Sequence, residues 1–199
     1  MNIIITGTSK GIGFALAKTL VKAGHNVWGL SRPRSKNMES NFLEELATIN
    51  YKHSFCDISS MSAIKKFHEE ILLANFFPDI IYLNAAVEYE EVAFSINKEN
   101  LAKMIDTNLK GSLVLVSYFM KEFMQRNKGK FVAISSLFDQ WPDANSPIYS
   151  ASKAGLLMAF RGFKLRFKDT AVQFQCVSLG PIHTSVSYTH LTLPTICSV

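Results

Sequence analysis

The chain has 199 residues, of which 48% are hydrophobic, 19% charged and 12% aromatic, a balance suited to one globular domain with a substantial core. No apolar run approaches the ~18–20 residues that a membrane span requires and no secretory leader precedes the first strand, so a membrane protein is excluded and a cytoplasmic one expected. The net charge of +5 shows no basic stripe interleaved with aromatics, which argues against nucleic acid, and neither the three cysteines nor the five histidines have the spacing of a metal site.

Residues 2–6, NIIIT, form a short β-branched run that reads as a buried strand. Gly7-Thr8-Ser9-Lys10-Gly11-Ile12-Gly13 follows, and then FALAKTLVKAG with helical periodicity. Strand, glycine-rich turn and helix make a phosphate-binding arrangement. The glycines let the backbone approach a pyrophosphate, and the helix N-terminus directs free N–H groups at the anion. An ordinary left-handed turn is the plainer reading of the same residues.

Asn26 to Leu30 is the second strand. Where an acidic residue would bind a ribose 2′-hydroxyl, the chain has Ser31-Arg32-Pro33-Arg34. Arg32 and Lys10 are placed to flank a 2′-phosphate, which points to NADP(H) rather than NAD(H); the alternative is a pair of surface charges. Arg34 and Lys36 read as solvated.

Met38 to Ile49 reads as a helix and Tyr51 to Cys56 as a third strand ending at Asp57, which either bonds an adenine ring or starts the next helix with a cap. Ser59 to Ala74 is amphipathic, with Ile64, Phe67, Ile71 and Leu72 on one side. The fourth strand, DIIYL, leads into Asn84-Ala85-Ala86, small enough to pass close to a ribose. Lys98 to Gln125 reads as one long helix with Asn108 in its middle. Asn is a poor helix former, so a specific partner is expected there, structural or catalytic. Lys130 to Ile134 is the fifth strand, ending at Ser135-Ser136. Ala171 to Ser178 is the sixth, before Leu179-Gly180-Pro181-Ile182-His183-Thr184.

Between the last two strands a helix carries Tyr149-Ser150-Ala151-Ser152-Lys153 to about Phe167. Tyr149 and Lys153 stand one helical turn apart on the same face. An ammonium at that distance favours the phenolate over the phenol. The same spacing also occurs on solvated helix faces.

Six strands alternating with helices predict an α/β fold, a doubly wound parallel sheet in three layers of Rossmann type. Gly7–Gly13, Arg32, Asp57, Asn84, Ser136 and Gly180–Thr184 all fall at strand C-termini, where such sheets bind ligands.

With these residues assembled, the chain resembles the short-chain dehydrogenase/reductase family over residues 2 to about 184. The likeness rests on Thr6-Gly7-x-x-x-Gly11-Ile12-Gly13, Asp57, Asn84-Ala85, Asn108, Ser136 and Tyr149-x-x-x-Lys153. It implies hydride transfer between a nicotinamide cofactor and a small carbonyl or secondary alcohol substrate. Tyr149 would be the acid or base, and Lys153 would lower its pKa and hold the nicotinamide ribose. Ser136 would bind the substrate oxygen, and Asn108 would hold a water that links Lys153 to solvent. The nucleotide would lie against Gly7, Ser9, Lys10, Gly11, Ile12, Gly13, Arg32, Asp57, Asn84, Ala85, Tyr149, Lys153, Gly180 and Ile182, with Thr184 at the carboxamide. A homodimer or homotetramer of the full-length protein is implied, through the long helix at 98–125 and the helix from 147.

Leu83, Ala86, Asp139 and Leu179 depart from the family pattern. Asp139, Gln140 and Trp141 follow Ser136 and either line a substrate pocket or form a surface loop with a packed Trp. From about Val186 the sequence VSYTHLTLPTICSV contains no Asp, Glu, Lys, Arg or Gly. Residues 185–199 are therefore expected to be a non-native or disordered tail, resembling translated transposon-end or adapter DNA on a truncated frame. Residues 1–184 then form one incomplete catalytic domain, lacking a final strand and helix. The rival readings are a non-catalytic NADP(H)-binding regulator and an inactive fragment. The substrate is not legible.

Overall fold

A computed structural model describes residues 1–33, 42–89 and 97–180. Six parallel strands form one sheet in the order β3-β2-β1-β4-β5-β6. They are β1 (Asn2–Thr6), β2 (Asn26–Ser31), β3 (Tyr51–Phe55), β4 (Ile80–Leu83), β5 (Gly129–Ser136) and β6 (Val172–Leu179). The order runs outward from β1 in both directions, so the switch point lies between β1 and β4, where a crevice opens at the strand C-termini.

Side chains alternate across each strand, and the two faces of β1 divide the core accordingly. Ile3 and Ile5 pack with Ala17 of α1 (Gly11–Lys22), Val27 and Leu46. Ile4 joins the larger cluster on the other face, which takes Ile64, Phe67 and Ile71 from α3 (Met61–Leu73). Leu115, Phe119 and Phe123 of α5 (Ser112–Arg126) and Leu156 and Phe160 of α6 (Pro147–Arg166) complete it.

Two elements differ from the sequence expectation. The helix expected over 38–49 is described only as α2 (Phe42–Leu46); residues 38–41 lie outside the described residues, and Ile49 is 98% exposed beyond the helix end. The long helix expected over 98–125 is broken into α4 (Lys98–Met104), a π-helical segment over Ile105–Gly111, and α5. The wider π turn brings Gly111 against the Ile58 carbonyl so closely that a Cβ would collide with it. It also turns Asn108 inward, to 1% exposure.

Candidate active site

The glycine turn is pinned between β2 and β4. Gly7 N–H and Thr8 N–H donate to the Leu30 carbonyl at 2.7 and 3.0 Å. Thr6 Oγ1 accepts from the N–H groups of Asn84 and Ala85, both at 2.9 Å, while Asn84 Nδ2 donates back to Thr6 O at 2.9 Å. Gly7 and Gly11 have φ of 78° and 59°, which only glycine adopts without strain. A Cβ on Gly13 would collide with the Gly7 carbonyl and the Asn84 amide. The first turn of α1 has no side-chain cap and no acidic residue, so its N–H groups are left to an anion. These features fit the pyrophosphate of a dinucleotide.

Lys10 stands at the N-cap of α1, and Arg32 is exposed just past β2. Because Leu30 O ties the turn to the end of β2, both cations issue from neighbouring strand ends. Asp57 makes the local turn that was one of its two readings. Its Oδ1 accepts from Ser59 N–H at 2.9 Å and Ser59 Oγ at 2.7 Å, and Ser60 caps α3. Gly180 is exposed at the end of β6; Ile182 and Thr184 lie outside the described residues, as does the expected tail.

Ser136 ends β5 and Tyr149 lies in the first turn of α6, close enough for the Ser136 hydroxyl to act on the phenol's titration. Ser136 Oγ also accepts from the Phe138 N–H at 3.3 Å. Lys153, 3% exposed, places Nζ 5.5 Å from the Tyr149 ring centroid and donates to the Ile134 carbonyl at 2.9 Å. The phenol, ammonium and hydroxyl expected from sequence therefore meet at the C-terminal end of β5.

Asn108 is a clamp. Its Oδ1 accepts from Val87 N–H and its Nδ2 donates to Val87 O, each at 2.8 Å; Nδ2 also reaches Ser152 Oγ at 3.1 Å. Ser152 Oγ in turn donates to the Tyr149 carbonyl at 2.7 Å. The segment after β4 is thus fastened to the helix that carries the tyrosine.

Electrostatics run against one expectation. Burial pushes the Tyr149 phenol above its ordinary value, and the charges of Glu88 and Asp139 add to this against the opposing Ser136 hydrogen bond. The phenol is held protonated, not acidified. Burial also lowers the Lys153 ammonium to about 8, with Cys176, Glu88 and Asp139 pulling it back up.

Glu88 carried no sequence signal. Asp139 did, as an acid in place of a glycine. It is 7% exposed and accepts from Ser178 Oγ at 2.5 Å. Phe138, Asp139, Gln140, Pro142, Pro147 and Ala151 help line a cavity of about 310 Å³. Trp141 is 73% exposed, so the packed Trp of the surface-loop reading is not found.

A family model, short chain dehydrogenase, matches residues 1–191. Among curated relatives, a 2-dehydro-3-deoxy-D-gluconate 5-dehydrogenase of Bacillus subtilis is 28% identical over 182 residues, covering 92% of this chain and 71% of its own. An NADPH-dependent pterin aldehyde reductase of Arabidopsis thaliana is 31% identical over 152 residues, covering 76% of this chain and 62% of its own. Among solved structures, the closed form of serine dehydrogenase complexed with NADP+ superposes with a TM-score of 0.84 at 25% identity. That alignment covers 92% of this chain and 74% of the other.

Proposed function

The chain belongs to the short-chain dehydrogenase family, whose members are NAD(P)-dependent oxidoreductases, and from that premise we propose that it is an NADP(H)-dependent reductase of small carbonyl compounds with Tyr149 as the proton donor. The observation that carries this reading is Tyr149 with the buried Lys153 Nζ 5.5 Å from its ring centroid, on the helix packed against the strand that ends in Ser136. When bound, the nicotinamide supplies the hydride for the carbonyl carbon.

The chain's own residues do the rest. Ser136 Oγ accepts from Phe138 N–H through one lone pair; its own proton turns from the phenol to the substrate oxygen when a substrate is bound, fixing it and stabilising the charge that develops there. Tyr149 delivers its proton to that oxygen; a phenol kept protonated by burial suits the reductive direction. Lys153 Nζ, at 5.5 Å from the ring, stabilises the phenolate left behind. Lys10 and Arg32 flank the 2′-phosphate, and the Arabidopsis relative named above is NADPH-dependent. The assembled protein is a homodimer or larger, joined through α6 and the helices before it.

NADPH oxidation followed with a panel of aldehydes and ketones tests the reading. Tyr149→Phe removes the proton donor and is expected to abolish turnover while leaving NADPH binding unchanged. Turnover retained in that variant would remove Tyr149 from the chemistry.

A further inference from the structure

The face of the sheet beneath α6 carries an acid that the chemistry above does not use. Phe131 of β5 pairs with Phe174 of β6, and both pack with Phe160 of α6. Every second residue after them keeps that side, so Ala133 and Ser135, Cys176 and Ser178 also face α6. Asp139 reaches this face from the turn after β5, where its Oδ2 accepts from Ser178 Oγ at 2.5 Å. Lys153 reaches it from the helix, and its Nζ donates to the Ile134 carbonyl at 2.9 Å. Ile134 adjoins Ser135, and Ser135 lies opposite Ser178 in register. The carboxylate and the ammonium are therefore anchored at adjoining positions of one strand pair.

Each of the two has a need that the other meets. Asp139 is 7% exposed, and its Oδ1 is buried without a hydrogen-bond partner. Half of that carboxylate is thus not compensated by local donors. Lys153 is 3% exposed and is held by a neutral carbonyl. Among the described residues the two form no direct ion pair, so each keeps its charge available to the other across the wedge. Buried charges of opposite sign offset part of one another's desolvation.

The other groups facing them are Tyr149 and Arg161 of α6, Cys176 of β6 and Glu88 of the segment after β4. Burial brings Lys153 down to about 8, while Cys176, Glu88 and Asp139 oppose that fall. Burial and the charge of Asp139 hold the Cys176 thiol above its ordinary value, so it is uncharged where Lys153 titrates. Arg161 is itself a cation, and its charge bears on Cys176. Glu88 is exposed, and salt screens it. Among the described residues that leaves Asp139 as the buried negative charge facing the ammonium.

We propose that Asp139 is the buried counter-charge of Lys153, a positioning residue that keeps Lys153 an ammonium across the pH range in which Tyr149 gives up its proton. The proposal rests on the reductase reading above. Asp139 acts through the ammonium alone, since its direct effect on the phenol is to oppose ionisation. Its signature is therefore the pH at which activity falls, not the height of the plateau.

Carbon-13 labelling of the lysine side chains in the full chain tests this without turnover. The Lys153 Cε signal, identified by its absence in Lys153→Met, is expected to titrate near pH 8 in the unaltered chain. In Asp139→Asn, which keeps the shape and loses the charge, the midpoint should fall by about one pH unit. Asp139→Gly, which removes charge and side chain together, should give the same displacement, and both should persist at ~1 M KCl, where surface charges are screened. The basic limb of kcat/KM for NADPH-dependent reduction of the best carbonyl in the panel above should move toward acid by the same amount. A midpoint unmoved in both variants would overturn the proposal, as would a shift in Asp139→Gly alone or one abolished by salt. A moved midpoint with an unmoved kinetic limb would overturn the part of Asp139 in the reaction. Failure of the unaltered chain to reduce any carbonyl would overturn the reductase reading instead, and the lysine titration would still decide whether Asp139 is the counter-charge. If Asp139→Asn does not fold, Asp139→Gly is compared with the charge-retaining Asp139→Glu, and equal displacement in those two would overturn the proposal.

Discussion

Lys153 is the most completely buried cation in the site, 3% exposed, with a backbone carbonyl at 2.9 Å as its hydrogen-bond partner. Desolvation dominates its titration and brings it from 10.5 to about 8. Between those two values the unfolded chain holds a proton that the folded chain has released. Stability attributable to this residue therefore rises with pH across the window and is lowest below pH 8. Lys153→Met lacks the proton altogether. The unfolding free energy of the unaltered chain minus that of Lys153→Met is expected to increase by about 2–3 kcal/mol between pH 8 and pH 10. Urea titrations at fixed ionic strength measure it, and a flat difference would show that the ammonium is not desolvated. His53 carries the same sign at lower pH: held near 4 by burial, it withdraws stability as pH falls from its ordinary 6.5 toward 4. His53→Gln should flatten that part of the acid transition. Spacing alone showed that Lys153 and Tyr149 share a helix face. It could not show that burial and the charge of Glu88 raise the phenol, because Glu88 reaches Tyr149 only through the fold.

At the scale of elements, the strands were legible because each is a short apolar run bounded by glycine, proline or polar residues, and their alternation with helices dictates parallel pairing. Helix interiors were less so. Nothing in INKENLAKMIDTNLKGSLVLV distinguishes a continuous α-helix from two helices joined by a π turn, since one added residue in the backbone ring leaves the apolar pattern nearly intact. The clue was Asn108 itself, a poor helix former placed where a partner is required. Its partners are the backbone N–H and C=O of Val87, from a segment the pattern left unassigned. Asn108→Leu would leave both groups without their partner. A loss on the order of 3 kcal/mol is expected from two such groups, measured by urea denaturation, together with loss of turnover as the Tyr149 helix comes free of the β4 segment. A loss under about 1 kcal/mol would mean that the clamp is dispensable.

The whole molecule gathers its chemistry on one edge because every parallel strand ends there, and this was the broadest feature visible in the residue order. What the pattern left open is the outer face of α6. The inner face is sealed, with Leu156 and Phe160 at 1% and 2% exposure, whereas Met158 and Leu165, seven residues apart on the outer side, are 63% and 74% exposed. Ala151 continues the same stripe toward the Tyr149 turn. A second copy of the chain is the cover consistent with the homodimer proposed above. Burying a Met and a Leu from each copy gives about 1.5–3 kcal/mol per side chain, and a carboxylate at both positions reverses that gain. Light scattering at micromolar concentration is expected to give a dimer or larger for the unaltered chain. Met158→Glu/Leu165→Glu is expected to give a monomer with the same far-UV circular dichroism. A monomeric unaltered chain would refute the assembly, and a double variant that stays dimeric would move the interface away from α6.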